Sequence, residues 1–258
     1  MQLQLQNSKI NSSTDLTITG SKSESNRLLL LKALFSSLEV QNISNSDDSQ
    51  YMLKALSTES NTVDIHHAGT AMRFLTAYFA TLEGSTILLT GSQRMQERPI
   101  KILVDALRDL GADIEYASQE GYPPLRITGK RLFKEEVRMK ANVSSQYISA
   151  LVLMATKLEK GLKLHLEGKI TSVPYINMTL SLLEQIGIET SFEGQTIHIK
   201  PYLETDSKTL TVESDWSSAS YFYSIIALSP LGTQVRLSTY KKDSLQGDAV
   251  LKDIYKQM

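Results

Sequence analysis

Residues 68–114 read AGTAMRFLTAYFATLEGSTILLTGSQRMQERPIKILVDALRDLGADI, and the order of their patterns predicts one α/β unit. The predicted elements are an apolar helix over residues 74–81, an alternating strand over 86–90 and, after a polar loop, an amphipathic helix over 99–110. Gly111 follows the second helix, where glycine commonly ends a helix. The stretch therefore contains a complete helix–strand–helix succession.

The same succession recurs along the chain. Residues 144–189 repeat every element, residues 215–256 repeat most of them, and residues 23–56 fit as a degenerate copy. Self-similarity of this kind is typical of a fold that repeats one supersecondary unit. We predict an α/β (α+β) fold made of repeated α/β units.

The spacing of the glycines also bears on where the chain ends. Gly84 is followed by Gly111 after 27 residues, and Gly161 by Gly187 after 26. The same interval from Gly232 reaches position 258 or 259, which is the last residue of the chain or the one after it. From the sequence alone we expect a fragment that stops inside a repeat.

Composition excludes several classes of protein. The net charge is −1, which argues against binding nucleic acid by bulk electrostatics, and the absence of cysteine excludes disulfides and thiolate chemistry. No stretch has the apolar length of a membrane span, and no signal peptide is evident. The adjacent His66 and His67 have no third or fourth ligand for a metal, and Asp47–Asp48 resemble a helix cap. A soluble cytoplasmic protein without a metal is expected.

The first candidate site lies in residues 20–27, GSKSESNR, which run into a leucine-rich helix. Free N–H groups at the helix start, together with Lys22 and Arg27, would favour a phosphate or carboxylate. The glycine and lysine spacing is not that of a P-loop. Serine-rich caps also begin many ordinary helices, so this stretch alone leaves both interpretations open. Three of its side chains are competent N-caps: Ser23, Ser25 and Asn26.

Recurrence strengthens the interpretation of an anion site. Small polar residues or arginines stand at or before several other predicted helix starts, at equivalent places in the repeats. We expect these helix N-termini to converge on one cleft that binds a ligand with more than one anionic group. The residues are Gly69, Thr70 and Arg73; Arg94 and Arg98; Ser144, Ser145 and Gln146; and Ser172, which precedes Tyr175.

Six short motifs together resemble the enolpyruvyl transferases, and within them the branch that acts on shikimate 3-phosphate. One motif would be a weak signal, whereas six in the same order across the chain are strong. They are KSESNR (22–27), AGTAMR (68–73), RMQERPI (94–100), SSQ (144–146), SVPY (172–175) and DWSSAS (215–220).

The resemblance implies an inside-out α/β barrel fold with two domains, each of three α/β units, and ligands in the cleft between them. Residues 21–212 would form the complete second domain. Residues 1–20 and 213–258 would form an incomplete first domain. A monomer is expected for the full-length family.

The implied reaction transfers the enolpyruvyl group of phosphoenolpyruvate to the 5-hydroxyl of shikimate 3-phosphate and releases phosphate, by addition and then elimination, without a cofactor. The resemblance assigns two sets of residues. Those that would bind shikimate 3-phosphate are Lys22, Ser23, Arg27, Ser144, Ser145, Gln146, Ser172 and Tyr175. Those that would bind phosphoenolpyruvate are Lys22, Gly69, Arg98 and Gln146.

Some residues depart from the family pattern. His67 stands where asparagine is usual, Glu24 replaces a small or apolar residue, and Val173 removes a frequent lysine. The acidic catalytic residue of the family is expected beyond Met258. The sequence therefore assigns no catalytic residue, and we expect this chain to be inactive alone.

Two alternatives remain beside the shikimate branch. Transfer to UDP-N-acetylglucosamine is disfavoured, because that branch usually has Lys-Asn where this chain has Lys22-Ser23, and typically uses a cysteine. A non-catalytic fragment that retains an anion pocket is the alternative from a different class.

Overall fold

The computed structural model describes residue 4 and residues 9–142, 144–202 and 206–257. These residues form a mixed α/β fold. The helices are α1 (Lys22–Leu34), α2 (Asp47–Leu56), α3 (Gly69–Ala80), α4 (Gln93–Gln96), α5 (Lys101–Asp109), α6 (Ser145–Met154), α7 (Val173–Gln185), α8 (Trp216–Ala227) and α9 (Leu251–Lys256), with 3₁₀ turns at Ala155–Lys157 and Gly247–Val250. The strands are β1 (Ser13–Leu16), β2 (Leu38–Gln41), β3 (Thr62–Asp64), β4 (Thr86–Thr90), β5 (Asp113–Tyr116), β6 (Leu125–Thr128), β7 (Glu136–Lys140), β8 (Leu162–Glu167), β9 (Thr190–Glu193), β10 (Thr196–Ile199), β11 (Lys208–Thr211) and β12 (Gln234–Leu237).

Two four-stranded sheets have the same topology. Their strand orders are β3-β4-β6-β5 and β7-β8-β10-β9, and in each sheet the first pair is parallel and the other two are antiparallel. Buried residues pair at equivalent places, with Val63 opposite Leu89 and Val137 opposite Leu164. This duplication is what repetition of one α/β unit predicts.

The helices α1, α3 and α6 form the interior of the larger part of the chain. Leu28, Leu29, Leu30 and Leu31 are consecutive in α1, and each is at most 2 % exposed. Four adjacent positions point around the whole circumference of a helix, so α1 must be covered on every side. It packs against α2, α3, α6 and α7, and its polar first turn is left at one end of this bundle.

A second, smaller apolar cluster involves residues 9–20 and 213–257. Trp216 and Ala219 of α8 pack there with Ile18 and Ala249. Among the described residues, the accompanying sheet consists of β1 and β12, which are parallel. A cavity of about 620 Å³ lies between this sheet and α8. Seven large apolar residues of this region are exposed, namely Ile10, Tyr221, Ile225, Leu228, Leu231, Val250 and Ile254.

The chain passes twice between these two regions. The passages lie side by side, because Gly20 and Ser214 form an antiparallel bridge and the Ser21 N–H donates to the Glu213 carbonyl at 2.8 Å. Residues 22–27 follow the first passage directly. The first turn of α1 therefore lies beside both crossings.

Candidate functional site at the helix N-termini

The first turn of α1 differs from its prediction. The N-cap is Ser21, whose side chain makes no capping bond, and Lys22 is exposed in the first helical position. The predicted capping roles of Ser25 and Asn26 are wrong, because both side chains are buried against the α2 region. Ser25 Oγ accepts from the Ser44 N–H at 2.9 Å. The N–H groups at the start of α1 are consequently not used by these side chains.

Asn26 donates a hydrogen bond to Asp48, and Asp48 connects α1 to α3. Asn26 Nδ2 donates to Asp48 Oδ1 at 2.8 Å, while the N–H groups of Ala71 and Thr70 approach the same carboxylate at 3.3 and 3.4 Å. Asp48 thus faces the N-terminus of α3, where a negative charge is favourable. The prediction that Asp48 caps its own helix is wrong, since the N-cap of α2 is Ser46.

Gly69 and Arg98 are in close contact at the start of α3. A methyl group added to Gly69 would lie 2.5 Å from Arg98 Nη1 and 3.2 Å from its Cζ. The guanidinium of the exposed Arg98 therefore lies directly against the helix start. Together they form a cationic surface at the N-terminus of α3, which suits a phosphate group.

A second arginine lies beneath this surface. Arg73 is 4 % exposed, and its Nη1 donates to the Gly69 carbonyl at 3.0 Å. Its guanidinium also lies 5.9 Å from the centre of the Tyr147 ring, and burial lowers the pKa of Arg73. Arg73 Nε is buried without a hydrogen-bond partner. This buried cation adds positive potential behind Gly69 and Arg98.

The start of α6 joins the same place. Gln146 Nε2 donates to Thr70 Oγ1 at 3.3 Å, which brings the first turns of α6 and α3 together. Ser144 is the N-cap of α6, and its hydroxyl accepts from the Gln146 N–H at 3.3 Å. Ser145 is only 7 % exposed. Ser144 and Gln146 are therefore the accessible members of this motif.

Arg27 connects α1 to α6 and α7. Nε donates to Thr179 Oγ1 at 2.7 Å, and Nη2 donates to Ser149 Oγ at 2.9 Å and to the Tyr175 carbonyl at 3.3 Å. Nη1 donates to the Ser23 carbonyl at 2.8 Å. Four of the five N–H groups of a guanidinium are thus occupied. The fifth N–H, on Nη1, remains for another acceptor. Arg27 is only 2 % exposed.

All four partners of Arg27 are neutral oxygens. Burial accordingly lowers its pKa to about 10. The guanidinium also lies 5.9 Å from the ring centre of Tyr175, which is 42 % exposed. A buried cation without a carboxylate partner is expensive for the fold and leaves positive potential available to an anionic ligand.

Ser172 and His67 lie at two further helix starts. Ser172 is the exposed N-cap of α7, and its backbone is in the left-handed region with φ 56°. His67 precedes Ala68, the N-cap of α3, and its Nε2 lies 3.5 Å from Asp47 Oδ2. His67 contacts the His66 ring, which stacks on Tyr51.

These contacts join four helix N-termini into one polar region. α1 and α3 meet through Asp48, α3 and α6 through Thr70, and α1 and α7 through Arg27. The region offers exposed cations and helix dipoles to an anion. Within the described ranges, no group of three or more histidine or acidic side chains could hold a metal ion. Among the helices of those ranges, none is long and apolar enough to cross a membrane.

The family model of EPSP synthase (3-phosphoshikimate 1-carboxyvinyltransferase) matches residues 57–258. The chain belongs to the EPSP synthase family. A 3-phosphoshikimate 1-carboxyvinyltransferase from Bacteroides fragilis is 47% identical over 245 residues, which are 94% of this chain and 59% of that protein. The enzyme of the same name from Haemophilus influenzae is 36% identical, with 94% of this chain and 63% of that protein covered.

A solved structure of EPSP synthase from Acinetobacter baumannii has the same fold as this member of the family. The two structures superpose with a TM-score of 0.76 at 21% sequence identity. The superposition covers 95% of this chain and 60% of the Acinetobacter baumannii chain. The predicted enolpyruvyl transferase fold is thereby confirmed. The chain spans about three fifths of the length of the curated EPSP synthase relatives that it matches.

Sequence reasoning missed one member of the polar region in this EPSP synthase family chain. Asp48 was interpreted only locally, as a cap, because a carboxylate at the start of a helix usually has that role. The sequence contains one indication of this role, because Asp48 lies at the start of α2, the helix that precedes the Gly69 motif along the chain. Only the packing of α2 against α3 shows which helix it serves.

Proposed function

We propose that a protein containing this chain, with the length of its EPSP synthase relatives, transfers the enolpyruvyl group of phosphoenolpyruvate to the 5-hydroxyl of shikimate 3-phosphate. The observation that carries the proposal is the contact of Arg98 with Gly69 next to the Gln146–Thr70 hydrogen bond. Two helix N-termini and a guanidinium meet there, as a bound phosphate requires. The family membership supports the choice of substrates.

The proposed chemistry has two steps. First, the 5-hydroxyl oxygen bonds to C2 of phosphoenolpyruvate while C3 gains a proton and the hydroxyl loses one. Then the C2–O bond to phosphate breaks, C3 loses a proton, and phosphate leaves. The intermediate carries two phosphates and the carboxylates of both substrates, so fixed cations and N–H dipoles stabilise it. No residue of this chain is assigned to proton transfer.

The proposed residue roles are those that the family resemblance implies. Lys22 is proposed to reach both ligands, because it is exposed at the start of α1. Gly69, Arg98 and Gln146 are proposed to bind the phosphate of phosphoenolpyruvate. The remaining residues are proposed for shikimate 3-phosphate, with Arg27 and Ser145 limited by their burial. They are Ser23, Arg27, Ser144, Ser145, Gln146, Ser172 and Tyr175.

We also propose the division of the chain into a complete domain, residues 21–212, and an incomplete one, residues 1–20 and 213–258. The separation of the two apolar clusters supports it, although Val212 belongs to the larger cluster and Trp216 to the smaller. The ligands would lie where the two parts meet. A cytoplasmic monomer that binds small molecules and no nucleic acid is part of the same proposal.

Titration calorimetry of the 258-residue chain with shikimate 3-phosphate tests the site. Weak binding is expected, with a dissociation constant on the order of 1 mM, because only one side of the cleft is well formed. Shikimate without the phosphate serves as the matched control ligand and should produce no heat at the same concentrations. Equal heats for the two ligands would contradict a phosphate site.

The alternative of a non-catalytic anion-binding chain has one supporting observation, the coverage of about three fifths of each relative. Release of phosphate from the two substrates separates the possibilities. We expect no turnover from this chain alone, and turnover after the C-terminal two fifths of the Bacteroides fragilis relative is added as a separate polypeptide. Turnover by the chain alone at the rate of a full-length relative would contradict this expectation.

A further inference from the structure

A buried carboxylate lies in the first turn of α1, between Lys22 and Arg27. Glu24 is 1 % exposed. Its Oε1 lies 3.1 Å from Lys241 Nζ, and its Oε2 accepts from the Glu213 N–H at 3.2 Å. Glu213 lies in the second crossing and Lys241 follows it along the chain. Glu24 therefore ties the helix that carries Lys22 to the smaller apolar region.

Glu213 is the centre of this arrangement. Its carboxylate is fully buried and accepts from Trp216 Nε1 at 2.9 Å, from the Lys241 N–H at 2.9 Å and from Ser244 Oγ at 2.6 Å. Its main chain also binds both Ser21 and Glu24. The position of Lys241 is thus fixed through Glu213. Glu24, Glu213 and Lys241 are called the crossing cluster below.

A contribution to folding stability does not explain why the carboxylate of Glu24 is buried. Its burial raises the pKa of the carboxyl group, and the nearby Lys241 offsets this effect only in part. Lys241 is itself 39 % exposed, so it gives a partly hydrated cation to a dry carboxylate. Buried ion pairs of this kind often contribute little to stability, because desolvation opposes the attraction.

We infer that Glu24 is a positioning residue: the crossing cluster couples the first turn of α1, with Lys22 and Ser23, to residues 213–257. The inference rests on the proposed function, because the benefit of holding Lys22 lies in ligand binding. In this arrangement the ion pair sets where the Lys22 ammonium stands relative to the other region. Loss of either charge frees the turn while the apolar packing of Leu28–Leu31 remains.

The test compares Glu24→Gln and Lys241→Met in the 258-residue chain with the control Lys32→Met. Lys32 lies in the last turn of the same helix, where it pairs with Glu39 at 2.8 Å. The amide introduced by Glu24→Gln retains an acceptor for the Glu213 N–H, so the melting temperature of this variant should stay within a few degrees of the wild type. Each cluster variant should weaken binding of shikimate 3-phosphate about tenfold, and the double variant no further, because the two charges act as one unit. The control should bind as the wild type does.

A purely structural role would move the melting temperature without changing the affinity of the folded protein. Unchanged affinity in folded Glu24→Gln, or additive losses in the double variant, would overturn the inference.

A second readout separates this inference from the proposed function. If the wild type binds no shikimate 3-phosphate, the proposed function fails, but hydrogen exchange can still test the coupling. The amides of Ser25, Asn26 and Arg27 should exchange about tenfold faster in Glu24→Gln than in the wild type, with those of Leu28–Leu31 unchanged. Equal exchange in the first turn would overturn the inference independently of any ligand.

Discussion

Replacement of Arg27 by methionine is expected to weaken binding of shikimate 3-phosphate by about 10²-fold and to leave the fold intact. The loss follows from removing a buried cation whose partners in the protein are all neutral. Calorimetric titration of the variant measures the first effect. Thermal unfolding measures the second.

The stability of the variant depends on two opposing effects of similar size. The lowered pKa of about 10 means that burying the charge costs roughly 3 kcal/mol. Replacing Arg27 by methionine removes this cost, which offsets the free energy of the lost hydrogen bonds. Few acceptors are left unsatisfied, because the Tyr175 carbonyl also accepts from Thr179 Oγ1 at 2.8 Å and Ser149 Oγ lies 2.9 Å from Thr179 Oγ1. We therefore expect a change in unfolding free energy of less than about 2 kcal/mol.

Arg131→Met is the matched control for this variant. Arg131 is 63 % exposed and pairs with Glu159 at the surface. Its replacement removes the same charge from the chain but not from the polar region, so binding should be unchanged. Binding by Arg27→Met within threefold of the wild type would remove Arg27 from the site.

Replacement of Gly69 by alanine is expected to weaken binding of phosphoenolpyruvate at least about tenfold without unfolding the protein. The added methyl group would lie 2.5 Å from Arg98 Nη1, and this guanidinium is the mobile end of an exposed side chain. Arg98 can therefore move away at little cost to the fold. Titration of phosphoenolpyruvate in the presence of shikimate 3-phosphate measures the effect.

Arg98→Ala provides the decisive comparison for Gly69. If the alanine acts by displacing the guanidinium, then Gly69→Ala should have no further effect on affinity in the Arg98→Ala background. Additive losses would show instead that the methyl group obstructs the ligand itself. Either single variant with wild-type affinity would contradict the phosphate site proposed at α3.

The local patterns predicted the elements well. The strand predicted over residues 86–90 is β4, and the helix predicted over 99–110 is α5, although it begins at Lys101 and a short α4 fills the preceding loop. Periodicity and turn residues act over a few positions, so the sequence contains them directly. The repetition of the unit was predictable for the same reason, since each copy carries its own signals.

The partners of polar side chains could not be predicted in the same way. Asn26 and Asp48 looked like caps of their own helices, but they bind each other and α3 across 22 positions of the chain. Arg27 lies in a polar stretch of the sequence and is nevertheless buried. Glu24 stands in the same first turn as Lys22, and its side chain turns toward Lys241. Each outcome depends on which helices pack together, and local propensity does not determine that.

The parallel pairing of β1 with β12 has a consequence for biosynthesis. Ser13 pairs with Gln234, which the ribosome adds roughly 10 to 40 s later at ordinary rates of elongation. Throughout that interval β1 is a strand without its neighbour, whereas the two four-stranded sheets of the larger part can close as they emerge. Ser13, Thr14 and Asp15 give the waiting strand a polar and charged character. Such residues discourage an unpaired edge from joining a neighbouring nascent chain.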